Sequence, residues 1–135
     1  MTGDTEVQTS ATGRLNQAIA NAVVRRHRRF VGRGPTRARA FYSRDVLVVV
    51  TQNRLTQGER SLVADGRREA VRRLRQELQR AMRAELVEAV ESLTGRKVLA
   101  ALSTNEVDPD VAADVFVLDS CIDAGAGDVR VNELQ

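Results

Sequence analysis

The chain has 135 residues, 42% hydrophobic and 29% charged, the balance of a folded domain rather than a disordered one. Its net charge of +3 arises from 21 basic residues, nearly all Arg, against 18 acids. One cysteine, Cys121, excludes an internal disulfide and a cysteine-rich zinc module, and one histidine, His27, excludes most Ser-His and Cys-His catalysis.

Residues 1–11 are polar and rich in Thr, Ser and Gly, and read as a disordered N-terminal segment. A helix capped by Thr12 is expected to run to about Val31. Leu15, Ala18, Ile19, Ala22, Val23 and Phe30 recur at three- and four-residue spacing on its buried stripe. Arg25, Arg26, His27, Arg28 and Arg29 crowd its last turns, where cations complement the helix dipole. Gly32-Arg33-Gly34-Pro35 stops it, because Gly accepts the left-handed position after a helix and Pro cannot continue one.

From Thr36 to Tyr42 the residues alternate, with Arg37, Arg39 and Phe41 on one face and Ala38, Ala40 and Tyr42 on the other. A turn at Ser43-Arg44-Asp45 leads into the β-branched strand Val46 to Thr51, completing a hairpin. Thr56-Gln57-Gly58-Glu59 carries the capping-box pattern and opens a short helix ending near Ala64. After Asp65-Gly66, a long helix covers about Arg67 to Leu93. Its expected stripe is Val71, Leu74, Leu78, Ala81, Met82, Ala89, Val90 and Leu93, with a Glu69–Arg73 pair on its surface. Gly95 closes it. Lys97 to Ser103 and Ala112 to Asp119 form a second hairpin, and residues 120–135 read as a flexible C-terminal tail.

The fold class is therefore α+β in the order α-β-β-α-α-β-β, a four-stranded antiparallel sheet with helices packed on one face. A single domain spans 12–119. At 1.5 Å per residue the long helix reaches about 40 Å, more than a domain of this size accommodates. An overhanging apolar stripe then implies a second chain, so a homodimer is expected.

The charge is unevenly spread. Residues 14–44 hold nine Arg and no acid, whereas residues 84–135 hold eleven acids and three cations. Arg25 to Arg44 is the best basic patch, and Arg33, Arg37 and Arg39 are the residues expected to present cationic forks to an anion or an acidic partner surface. Nucleic acid is an alternative ligand for the same arginines. The interhelix turn Gly66-Arg67-Arg68-Glu69 lacks the second Gly of a KH-type clamp, and the strands offer few aromatics for base stacking. His27 among arginines reads as a solvated helix-end residue, and Glu106, Asp108, Asp110 and Asp114 read as solvated acids without calcium-loop spacing. No catalytic, metal or cofactor site is assigned. The longest apolar run, Val46 to Val50, is far short of a membrane span, and the polar N-terminus carries no signal-peptide pattern. A cytoplasmic protein without direct membrane insertion is expected.

The succession Gly32-Arg33-Gly34-Pro35, a hairpin, Leu55-Thr56, a long charged helix closing on Leu93-Thr94-Gly95, and a hairpin ending Val117-Leu118-Asp119 resembles the MpsC-like family over residues 12–119. Arg33 and Pro35 match the family motif by position. The family is named for the third component of a sodium-translocating, membrane-potential-generating system, whose other components are membrane proteins linked to cation movement and inorganic-carbon supply. The resemblance implies a small soluble accessory that supports a cation or bicarbonate uptake system, with membrane transporter subunits as partners and a location peripheral to the inner membrane face.

Overall fold

The computed structural model describes residues 11–32, 37–52 and 55–122. The elements are α1 (Ala11–Val31), β1 (Arg37–Ser43), β2 (Val46–Gln52), α2 (Gln57–Ala64), α3 (Arg68–Thr94), β3 (Val98–Glu106) and β4 (Val111–Leu118). All strands pair antiparallel in the order β1-β2-β4-β3, so the two hairpins meet where β2 lies against β4. The expected order of elements is the observed one. The N-terminal segment and the residues from 123 onward lie outside the described residues, as do Arg33, Gly34 and Pro35.

Period-two patterning sets which side of the sheet is covered. Along β2 and β4 every second residue is buried: Leu47, Val49 and Thr51 on one strand, Ala112, Asp114, Phe116 and Leu118 on the other. Ile19 and Val23 of α1 and Met82, Leu86 and Val90 of α3 pack onto this inner face and form one core with Tyr42 and Ile122. Each such side chain contributes about 1.5–3 kcal/mol on burial. The chain stays anchored beyond β4, since Ile122 is buried and its N–H donates to the Arg44 carbonyl at 2.9 Å.

Termini of the helices follow local chemistry. Thr56 and Glu59 form the expected capping box, each side chain accepting from the other's backbone N–H, at 3.2 and 2.9 Å. Gly95 ends α3 in the left-handed region at φ 71°, its N–H donating to Glu91. Gly32 closes α1 at φ 91°, donating to Arg28. Thr12 is not the cap of α1, because the helix already includes Ala11. Glu69 pairs with Arg72 at i,i+3 rather than with Arg73.

Two expectations of burial are corrected. On α3, Leu74 and Leu93 are 46% and 39% exposed and Ala81 is exposed, while Arg75, Gln79, Leu86 and Thr94 take the inner positions. The N-terminal half of α3 is contacted by α2, β3 and the β3–β4 turn, through Arg68, Arg75 and Gln79. His27 is 3% exposed, not solvated, because it continues the inner stripe of Ile19 and Val23 by one further turn.

Candidate interaction surface

The outer face of the sheet is assembled by the register of four strands. Arg37, Arg39 and Phe41 of β1 point away from the helices, while Ala38, Ala40 and Tyr42 point toward them. The alternation of this strand expected from sequence is thus observed. Cross-strand partners place Phe41 beside Val48, Val115 and Leu102 in one row, with Ser43, Val46, Val117 and Ala100 in the row next to it. Toward the other end, Arg39 lines up with Val50, Ala113 and Thr104, and Arg37 with Gln52, Val111 and Glu106. The face is consequently apolar over two rows and polar at its far corners, cationic along β1 and anionic at the end of β3.

Phe41 and Leu102 are 41% and 60% exposed, and Leu99 at the start of β3 is exposed as well. The central valines are half-buried by their neighbours alone. A recess of about 360 Å³ at the β1–β2 hairpin is lined by Phe41, Val46 and Val48 together with the turn residues.

Arg37 and Arg39 are exposed, whereas Arg33 lies outside the described residues. The remaining basic residues of α1 do not all join them. Arg29 pairs with Glu85 of α3 and lies over the Phe30 ring at 5.9 Å, and Arg26 donates to the Ala22 carbonyl at 3.3 Å. The basic patch thus divides into arginines tied to the helix layer, the exposed Arg25 and Arg28 of α1, and a part presented by β1.

A second polar constellation lies inside the protein. Arg75, 1% exposed, sits 3.0 Å from Asp110 and 3.7 Å from Glu59. The Asp110 contact is an ion pair without hydrogen-bond alignment. Asp110 also accepts from the Leu55 N–H at 2.7 Å, and Glu59 is held by its capping box. Gln79 completes the group, donating to the Thr104 carbonyl and accepting from Asn105. Every carboxylate is committed to a cation or a backbone N–H, so the cluster braces α2, α3 and the β3–β4 turn against one another.

Sequence reading missed Arg75 and Gln79, although Val71, Arg75, Gln79, Met82, Leu86 and Val90 keep an unbroken three- and four-residue spacing. Of the four acids expected to be solvated, Glu106 and Asp108 are exposed but Asp110 and Asp114 are not. Asp114 faces the core and accepts from the Ser103 hydroxyl at 2.6 Å. Cys121 is exposed. Among the described residues no group of three His, Cys, Asp or Glu is placed to hold a metal ion, and no helix is long and apolar enough to cross a membrane.

No curated protein and no solved structure shows significant similarity to the chain. A family model does match, described as Na+-translocating membrane potential-generating system (MpsC), over residues 11–120. That span runs from the first turn of α1 past the end of β4, taking in every element of the fold, and the chain belongs to the MpsC family.

Proposed function

We propose that this protein is a non-enzymatic accessory module of a membrane ion system, acting as a homodimer in the cytoplasm and held at the inner membrane face through a membrane protein partner. The system it serves moves sodium ions or supplies inorganic carbon as bicarbonate. Arg33, Arg37 and Arg39 present guanidinium forks to acidic groups of that partner. The observation that carries the reading is the pair Arg37 and Arg39, exposed side by side on an edge strand of a chain whose family is named for such a system. Carboxylates in the described cluster are neutralised internally, which favours a binding role over an acid–base one.

The test is recovery of the tagged full chain from native membranes, with a photo-crosslinking residue at position 17, an exposed position that lines one recess with Arg39. The expected result is one crosslinked integral membrane protein, lost in Arg37→Ala/Arg39→Ala. A chain that washes fully from membranes and crosslinks to none of their proteins overturns the proposal. Nucleic-acid binding through Arg25–Arg44 is the competing reading, and Phe41 alone offers an exposed aromatic on the sheet for it. A gel shift that weakens steeply as salt rises would favour that reading instead.

A further inference from the structure

We infer that the outer face of the sheet is the surface on which two copies of this chain meet, related by a two-fold axis parallel to the strands. The inference rests on the homodimer proposed above and gives it a surface, a register and contacting residues.

Three properties of the face select a second copy as its occupant. The first is extent. Four strands at about 4.8 Å spacing and seven residues at about 3.4 Å make a plane of roughly 19 by 24 Å. Side chains standing out of that plane bring the accessible area toward the roughly 600–800 Å² per partner that specific interfaces bury.

The second is the distribution of polarity. A two-fold axis along the strands lays each cross-strand row of one copy over the same row of the other. Apolar rows then meet apolar rows, and β1 of one copy lies over β3 of its partner. Phe41 faces Leu102, and Val48 faces Val115, twice over by symmetry. An axis running across the strands through the middle of the face would instead lay Phe41 over the Arg39 row, apolar on charged.

Charge is the third. The chosen axis brings Arg37 at the β1 corner over Glu106 at the β3 corner, in both copies. Glu106 is 56% exposed, and its pairing with Arg72 at 3.6 Å leaves the carboxylate open to a second cation. Both arginines stay at the rim: Arg39 meets the neutral Thr104, and Arg37 keeps N–H donors beyond those that face Glu106, so the pair remains open to the membrane partner. Face-to-face packing of this kind is ordinary for sheets, whose strands align within about 30° at about 10 Å separation.

Crosslinking reads the register directly. In a Cys121→Ser background, chains carrying Phe41→Cys are mixed with chains carrying Leu102→Cys and treated with a short bis-maleimide. The expected product is a covalent dimer in the mixture and none from either variant alone, since each position lies far from its own copy. Dimers formed by one variant alone overturn the register.

Light scattering across a concentration series supplies the second arm. Wild-type chain is expected to be dimeric, and Leu102→Lys monomeric with unchanged circular dichroism and a cooperative melt whose midpoint no longer rises with concentration. Leu102 is exposed enough for that exchange to spare the fold. Arg37→Glu should raise the dimer dissociation constant roughly tenfold, and Arg37→Glu/Glu106→Arg should restore it. A wild-type monomer at every concentration overturns the inference, and so does a Leu102→Lys dimer. Membrane recovery of that monomer would leave the accessory function standing, and a dimer recovered with no membrane protein would remove the function alone.

Discussion

From Met82 to Thr94, α3 packs Met82, Leu86 and Val90 with Ile19 and Val23 of α1 over Leu47, Phe116 and Leu118. From Arg68 to Gln79 the same helix offers Val71, Arg75 and Gln79 to Glu59, Asp110 and Asn105. Apolar packing is non-directional and tolerates small shifts, whereas a buried guanidinium needs each of its carboxylates in place. The C-terminal half of α3 therefore makes the core, and the N-terminal half fixes where α2 and the β3–β4 turn attach to it.

The contrast can be broken experimentally at four places. Arg75→Ala leaves Glu59 and Asp110 buried without their cation, and should lower unfolding free energy by about 3–5 kcal/mol in urea titration. Replacing the cluster together, as Arg75→Met/Glu59→Gln/Asp110→Asn, should recover most of that loss. The amide oxygens still accept from the Thr56 and Leu55 N–H groups. A triple variant as unstable as Arg75→Ala would show that shape, not charge, holds this half.

Leu86→Ala, in the apolar half, should cost about 2–5 kcal/mol and gain nothing from changes in the ion cluster. Coupling between the two sites in a double-mutant cycle would dissolve the distinction between the halves. Thr56→Ala removes one arm of the capping box that orients Glu59, with an expected loss of about 1 kcal/mol at the calorimetric midpoint. The exposed Arg29–Glu85 pair should contribute least. Glu85→Ala is expected to shift stability by about 0.5 kcal/mol or less, fading with added salt.

Much of the architecture was legible because local signals and global packing agree. Alternation in Arg37–Tyr42, the capping box at Thr56, and Gly95 after the long helix each specify one local conformation with little competition. Burial on α3 was misread because Leu74 and Leu93 are apolar and Arg75 and Gln79 are not. Hydrophobicity then outvoted a periodicity that pointed correctly. The partners that make Arg75 tolerable, Glu59 and Asp110, are 16 and 35 residues away, and nothing local announces them. His27 illustrates the same limit, since its four arginine neighbours concealed a position on the inner stripe. The outer face was half legible. Arg37, Arg39 and Phe41 were assigned to one side of β1, but the valine rows beside them emerge only from the pairing of β2 with β4.

One irregularity of the sheet governs how it can grow. At the start of β3 the register with β4 slips between Val98 and Ala100, leaving Leu99 outside the ladder. Such an insertion increases local twist and spoils the straight row of free N–H and C=O groups that an incoming strand needs. The opposite margin is guarded differently, by two arginines that would stack against those of an identical β1 laid alongside. Both margins thus resist edge-to-edge templating by a further strand, in a sheet otherwise rich in valine.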